Sequence, residues 1–240
     1  MHAPDFPMQA VVLAGGMAMR MRPHTERIPK SLLEVAGRPF IDWQLELLVR
    51  SGIRDVVLCI AYLGDLIRAH VGDGAQHGLS VRYAEEEPGR LLGTAGALRA
   101  AVALLAPRFL VTYGDSFLRF DYGAPLRLLA GHADCNGVMA IYRNEGRLEP
   151  SNVVTDGAWV LRYEKNGSGP ELDHIDYGAI ALRREVVEAL PPGVPLGLEQ
   201  VQADLAARRR LRALVVHERF FEVGSPAGRD DLEQHLRRTR

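Results

Sequence analysis

Residues 9 to 30 read QAVVLAGGMAMRMRPHTERIPK, and this stretch decides the fold. Val11, Val12, Leu13 and Ala14 form an apolar run without alternation, the pattern of a parallel strand buried on both faces. Gly15 and Gly16 therefore fall at the strand's carboxyl end, the edge where open α/β sheets bind ligands. Glycine lets backbone N–H groups approach an anion closely, and Arg20, Arg22 and Lys30 follow to neutralise polyphosphate charge. A Walker A loop is excluded, because the first lysine after Gly16 is Lys30, far beyond the Gly-x4-Gly-Lys-Ser/Thr spacing. No third glycine completes a dinucleotide G-x-G-x-x-G either. A Gly-Gly turn beside a solvated basic loop would leave the coincidence of glycines, strand end, paired arginines and Pro29-Lys30 unexplained.

Outward from this loop, strand-like runs recur at 55–60, 79–83, 109–113 and 137–142. Between them lie helical stripes, Ile41, Leu45 and Leu48 at i, i+4, i+7, and Leu98, Ala101, Val102 and Leu105. Asp42 marks the start of the first of these helices and Ser51-Gly52 its end. Alternation of this kind predicts βαβ units in an α/β fold with a mixed, mainly parallel central sheet flanked by helices. After residue 143 the texture changes. A hairpin is expected over 152–155 and 159–164 with a type I′ turn at Asp156-Gly157. A strand over 175–182, a helix over 198–208, a strand over 211–216 and a helix from Pro226 complete the chain. We expect one domain over 1–240, with nucleotide handled by about 1–143 and sugar phosphate by about 144–240. No internal repeat recurs.

The net charge of −1 and a pI near 6.7 give no reason to expect nucleic-acid or membrane-surface partners. Cys59 and Cys135 lack metal-finger or CxxC spacing and read as structural thiols of a reducing, cytoplasmic compartment. The start MHAPDFPMQ lacks a basic n-region and an apolar h-region, and no apolar run is long enough to span a bilayer. The Arg208–Arg210 run reads as a solvated helix end, and the histidines show no metal-ligand spacing.

Tyr113-Gly114-Asp115-Ser116 ends the 109–113 strand, so Asp115 should share the sheet edge with Gly15. A carboxylate facing a triphosphate loop implies Mg²⁺, which takes one or two protein carboxylates plus phosphate oxygens. Leu92-Gly93-Thr94-Ala95-Gly96 opens a helix whose small residues let a base or ribose pack on backbone, and whose free N–H groups favour polar atoms. Glu85, Glu86 and Glu87 follow a strand. A carboxylate there accepts from the N1–H and N2–H₂ edge of guanine or the N3–H of uracil. A solvated acidic turn is the competing reading.

Leu13-Ala14-Gly15-Gly16, then Arg20, Pro23, Thr25, Pro29-Lys30 and Gly37-Arg38-Pro39, resemble the signature of the nucleotide-sugar pyrophosphorylases, the sugar-1-phosphate nucleotidylyltransferases. The family pattern runs roughly L-A-G-G-x-G-T-R-L-x-P-L-T, then P-K, then G-x-P. This chain departs from it at Ala18 and Met19. The resemblance implies a Rossmann-like fold and the reaction of an NTP with a sugar 1-phosphate to give NDP-sugar and pyrophosphate, with Mg²⁺ as cofactor. It places Leu13, Ala14, Gly15, Gly16, Glu85, Glu86, Gly93 and Thr94 at the nucleotide. Arg20 would meet the leaving pyrophosphate, Lys30 the phosphates at the reacting centre and Asp115 the metal.

Phe221-Glu222-Val223-Gly224-Ser225-Pro226 resembles the family's x-D-V/I-G-T-P, with Glu222 in place of aspartate as the second metal ligand. Glu164-Lys165 resembles F-x-E-K-P, whose lysine binds the sugar phosphate and whose glutamate binds a sugar hydroxyl. Asp176-Tyr177-Gly178 stands where relatives carry N-A/G-G, and Asn152 is assigned to the same sugar-phosphate subsite. The chain looks most like heptose 1-phosphate guanylyltransferases and N-acetylmuramate 1-phosphate uridylyltransferases, with a lean to GTP and a heptose-type sugar. Uridylyl or thymidylyl transfer to another sugar 1-phosphate is the alternative. A GT-A glycosyltransferase would show Asp-x-Asp, whereas Gly114-Asp115-Ser116 lacks the partner. A non-catalytic nucleotide-binding module is the third reading, motivated by Ala18 and Met19. The oligomeric state is open between a single chain and a homo-oligomer.

Overall fold

A computed structural model of the chain describes residues 6–17, 21, 23, 25–87, 89–144 and 148–239. In chain order the first half comprises β1 (Gln9–Leu13), a short pair β2 (Glu34–Val35) and β3 (Arg38–Pro39), α1 (Phe40–Arg50), β4 (Asp55–Ile60), α2 (Gly64–Val71) and β5 (Ser80–Glu85). It continues with α3 (Gly93–Ala100), β6 (Arg108–Tyr113), β7 (Ser116–Leu118), α4 (Ala124–Gly131) and β8 (Gly137–Arg143). The second half adds β9 (Val153–Thr155), β10 (Val160–Tyr163), β11 (His174–Arg183), α5 (Arg184–Glu188), α6 (Leu198–Ala207), β12 (Leu211–Val216), β13 (Phe220–Glu222) and α7 (Pro226–Arg238).

The main sheet runs β5-β4-β1-β6-β11-β8-β12, with β9 and β10 attached to one end of β11. β1 pairs in parallel with both β4 and β6, as its non-alternating apolar sequence requires. β11 runs antiparallel to its neighbours β6 and β8, while β12 is parallel to β8. The sheet is thus mixed and mainly parallel, as expected. β11 comes from the second half of the chain yet lies between β6 and β8 of the first, so the two halves share one sheet.

Period-two alternation splits the core. Ala10, Val12, Val56 and Leu58 pack with α1, α2 and α4 on one face. Val11, Val57, Cys59, Phe109 and Val111 pack with α3, α5 and α6 on the other. A third cluster joins Val35, Phe40, Phe117, Phe221, Val223 and Leu232, fastening α7 and the β7–β13 pair to the start of α1. No helix among the described residues is long and apolar enough to cross a membrane.

The hairpin of β9 and β10 forms, but its turn differs from expectation. A type I′ turn needs positive φ at both central residues. Gly157 has φ +91, whereas the φ of Asp156 is not positive. Asp156 instead uses its carboxylate, accepting from the Ala158 and Trp159 N–H groups at 3.0 and 2.7 Å, an Asx-type closure.

Two glycines decide the geometry of the ligand-facing edge. Gly114 N–H donates to Leu13 C=O at 2.9 Å, and a Cβ there would come within 3.0 Å of Ala14 and Leu13 atoms. Gly178, at φ +88, sits in a register shift of β11 between Asp176 and Ile180, a bulge that re-aims the side chains beside it. Gly114→Ala is expected to destabilise the protein by about 1–3 kcal/mol, because the ends of β1 and β6 must part. Urea denaturation measures this, and an unchanged midpoint would contradict the close approach.

Candidate active site

Where β1, β4 and β6 end, the carboxyl edge opens into a cavity of about 250 Å³. Leu13, Ala14, Gly15 and Gly16 line it, together with Lys30, Ser31 and Asp115. Pro29 is extended and leads into the short 3-10 turn Lys30–Leu32, which carries the ammonium inward. There Lys30 Nζ donates to Asp115 Oδ2, and each side chain keeps about a fifth of its surface exposed. The Asp115 turn is held from three sides. Gln44 Nε2, on α1, donates to the carbonyls of Tyr113 and Ser116 at 2.7 and 3.1 Å. Val223 N–H donates to Asp115 C=O at 2.9 Å, and Gly114 is pinned to Leu13.

The acidic run after β5 splits. Glu85 Oε2 accepts from Arg68 of α2 at 2.7 Å and does not line the cavity. Glu86 does line it: Oε1 accepts from Leu92 N–H at 2.7 Å, and Oε2 lies 3.2 Å from the place a Gly15 Cβ would occupy. Burial, with Glu86 adding, pushes the neighbouring Cys59 thiol up to about 12, so it is an inert wall. Gly93, Thr94 and Ala97 also line the cavity.

The small residues of α3 have a second reason that the sequence did not show. A Cβ on Gly93 would meet Leu196 C=O at 2.7 Å, and one on Gly96 would meet Leu92 Cβ at 2.7 Å and Val194 C=O at 3.0 Å. The N–H groups of Ala95 and Gly96 donate to Leu196 C=O, at 2.9 and 3.2 Å, rather than standing free for a ligand. Thr94 Oγ1 accepts from Leu198 N–H at 2.6 Å. The helix start therefore docks the 194–198 segment and fixes the entry of α6 against the cavity wall.

Tyr113 lines the cavity and sits beside polar groups from the second half of the chain. Burial first, then the charges of Asp176, the Tyr163 phenol, Glu199 and Asp115, hold its phenol well above the usual tyrosine range. Asp176 is braced by three groups: its Oδ1 accepts from Gly178 N–H at 2.9 Å, its Oδ2 from Gln202 Nε2 at 2.8 Å, and its own N–H donates to Asn152 Oδ1 at 2.8 Å. Desolvation raises the Asp176 pKa, partly offset by those bonds and by Lys165. Lys165 Nζ reaches Glu199 Oε2 at 3.4 Å and remains largely exposed. Glu164 turns outward to Arg162 at 3.2 Å.

Asn152, Lys165 and Asp176 are thus assembled on the far side of Tyr113, while Glu164 and Glu85 are turned toward arginines. Arg20 lies outside the described residues. Glu222 pairs across β13–β7 with Ser116, one residue from Asp115, and lines a neighbouring cavity of about 320 Å³. No group of three or more His, Cys, Asp or Glu residues suited to a metal occurs among the described residues. A sparse donor set of one or two carboxylates remains compatible with Mg²⁺, whose other positions go to phosphate and water. Sequence reasoning missed Gln44, Gln202 and Glu199. For both glutamines the signal was present: each is a polar residue inside a helix's apolar stripe, Gln44 among Ile41, Leu45 and Leu48, Gln202 among Leu198, Val201 and Leu205.

Gly-rich strand end, inward lysine and facing aspartate define a nucleotide-handling α/β protein. A sequence model described as nucleotidyl transferase matches residues 9–149, and the chain belongs to that family. An N-acetylmuramate alpha-1-phosphate uridylyltransferase of Caulobacter vibrioides is 28% identical over 239 residues, covering 96% of this chain and 97% of its own. One of the same name from Neisseria meningitidis serogroup B is 42% identical over 118 residues, 49% of this chain, and there the match spans about half (51%) of the relative's length. Other relatives bear the names of guanylyl- and thymidylyltransferases acting on sugar 1-phosphates. A solved Bacillus anthracis structure in complex with sucrose superposes with TM-score 0.85 at 18% identity, covering 96% of this chain and 95% of its own, which shows the shared fold.

Asp176 supplies a pH test of the site. Its folded pKa is raised, so the neutral acid is favoured in the fold, and that contribution is complete below the ordinary Asp value of about 4 and lost as pH rises through the raised value. Asp176→Asn removes this titration while keeping an amide that Gln202 can pair with. The melting temperature of the native protein relative to Asp176→Asn should therefore fall as pH rises from about 3 toward 7. A pH-independent difference would contradict the burial of this carboxyl.

Proposed function

We propose that the protein is a sugar-1-phosphate nucleotidylyltransferase, converting an NTP and a sugar 1-phosphate to NDP-sugar and pyrophosphate. The observation that carries this is the Lys30–Asp115 pair at the glycine-lined strand edge, with the Lys165–Asp176 cluster joined to it through Tyr113. A sugar-phosphate oxygen attacks the α-phosphorus in line as pyrophosphate leaves on the opposite side. Such chemistry is accelerated by positioning and charge stabilisation rather than by covalent help from the protein. Gly15 and Gly16 let the triphosphate approach the backbone. Lys30 turns from Asp115 to the phosphates at the reacting centre, Arg20 meets the leaving pyrophosphate, and Lys165 holds the nucleophilic phosphate. Asp115, with Glu222, would hold Mg²⁺, which supplies further neutralisation of phosphate charge.

For the base, Glu86 is the reader, because its carboxylate lies in the cavity wall whereas that of Glu85 is engaged by Arg68. A carboxylate accepts from both N1–H and N2–H₂ of guanine but only N3–H of uracil, which favours GTP, with a heptose-type sugar 1-phosphate as acceptor. Uridylyl transfer is the second reading, favoured by the name of the Caulobacter relative that matches nearly end to end.

Lys30→Ala and Arg20→Ala should each cost about 2–4 kcal/mol in the transition state, roughly thirty- to a thousandfold in pyrophosphate release, with circular dichroism unchanged. Turnover near that of the native protein in Lys30→Ala would sink the phosphate assignment. Competition among GTP, UTP, dTTP and ATP should give the highest kcat/KM for GTP. Glu86→Gln should erode that preference and Glu85→Gln should leave it in place. Equal use of all four nucleotides by the native protein would refute base reading by Glu86.

A further inference from the structure

Asp115 stands at a junction between two sheets. Tyr113-Gly114-Asp115-Ser116 carries the chain from β6, in the main sheet, to β7, which pairs with β13 in a separate two-stranded sheet. The place of the Asp115 carboxylate therefore depends on how those two sheets are set against one another. Glu222, assigned with Asp115 to the cation, belongs to the smaller sheet, where it lies opposite Ser116.

One side chain ties the two sheets together at this point. Gln44 of α1 donates through Nε2 to Tyr113 C=O, at the end of β6, at 2.7 Å and to Ser116 C=O, at the start of β7, at 3.1 Å. An amide NH₂ carries two hydrogens, so a single nitrogen serves both carbonyls and fixes the spacing between the two ends of the Asp115 turn. The turn's other ties come from backbone N–H groups, Gly114 to Leu13 C=O and Val223 to Asp115 C=O, both at 2.9 Å.

The amide is costly where it stands. Gln44 is fully buried on the inner face of α1 with Phe40, Ile41, Leu45 and Leu48, and its Oε1 has no hydrogen-bond partner among the described residues. With Nε2 committed to two acceptors, the amide cannot turn over to find a donor for that oxygen. An apolar side chain would pack there without an orphaned oxygen, so the packing of α1 alone does not account for the glutamine. Gln44 lines neither cavity, whereas Lys30 and Asp115 line the first, so its effect on a ligand must pass through the turn it holds.

We infer that Gln44 is a positioning residue of the reaction: by stapling β6 to β7 it sets the Asp115 carboxylate against Lys30 and against the strand that carries Glu222, and the site's hold on a divalent cation depends on that setting. The inference rests on the nucleotidylyltransferase reading and adds to it a residue of α1 that lies outside the cavity wall.

The experiment compares the native protein with Gln44→Met, which keeps roughly the length and volume of the side chain and removes both donated hydrogens. With an NTP and a sugar 1-phosphate that turn over, kcat for pyrophosphate release should fall about 10- to 100-fold, the scale on which loss of a group that orients a metal ligand is felt. KM for the sugar 1-phosphate should stay within about twofold, since Gln44 touches no part of that substrate's proposed site. Mn²⁺ titrated into the protein with a non-hydrolysable NTP analogue, and followed by electron paramagnetic resonance, should bind about tenfold more weakly to Gln44→Met. A merely structural glutamine would lower the urea midpoint and leave kcat and Mn²⁺ affinity unchanged at a temperature where both proteins are folded, and that result overturns the inference. Gln44→Asn keeps the amide but withdraws it by one methylene; it should show the same losses and serves if Gln44→Met does not fold. Native protein that turns over but binds no Mn²⁺ with the analogue also overturns the inference and leaves the parent reading standing. Absence of pyrophosphate release from the native protein with every NTP and sugar 1-phosphate removes the parent reading, and this inference with it.

Discussion

The ion pair between Lys30 and Asp115 is the interaction around which the site is arranged. It joins a residue that follows the first strand to one that follows the sixth, 85 positions apart, across the cavity where a ligand must sit. Each partner needs its own support. Pro29 and the turn after it aim Lys30, while Gln44, Gly114 and Val223 hold the Asp115 turn from α1, β1 and β13. Partial exposure keeps the pair's desolvation cost moderate, so it can open at small expense when a more highly charged partner arrives. In the proposed function a polyphosphate is such a partner for Lys30, and the aspartate it leaves would call for a cation.

Near β1 the cavity is lined by glycines and Lys30. Behind Tyr113, outside the cavity lining, a second polar region forms in which Gln202 donates to Asp176 and Lys165 pairs with Glu199. The bulge at Gly178 makes the second region feasible: without its register shift, Asp176 would follow the strict alternation of β11. The glycine is required there both by its positive φ and by Ser116 Oγ, 3.3 Å from where a Cβ would stand.

Much of this was legible in the sequence wherever the cause is local. Strands 55–60 and 211–216 emerge with the expected bounds, because a run of buried β-branched and aliphatic residues between turn residues has few other solutions. The edge position of Gly15 and Asp115 follows from strand direction alone. What escaped depends on distant partners. Gln44 and the carbonyls it binds are about 70 residues apart, and Gly93 and Gly96 lie about 100 residues from the 194–198 segment they meet. These glycines, read as room for a nucleotide base, also make room for the chain itself, while Gly93 lines the cavity. Asp156-Gly157 looked like a type I′ turn because the dipeptide statistics carry no term for an aspartate side chain that closes the loop itself.

The acidic run after β5 shows how a period can be used further than a motif. Successive side chains of a strand point to opposite faces, so of two adjacent glutamates at a strand end only one can face a given ligand. Tyr83 and Glu85 share the face covered by α2, where Arg68 stacks on the ring and pairs with the carboxylate. Ala84 packs with the α3 face, and Glu86, two positions on, meets the cavity on that side. A glutamate chosen by motif alignment alone is ambiguous by one position. The alternation of β5, anchored by the partly buried Tyr83, places Glu86 at the cavity and Glu85 beside Arg68.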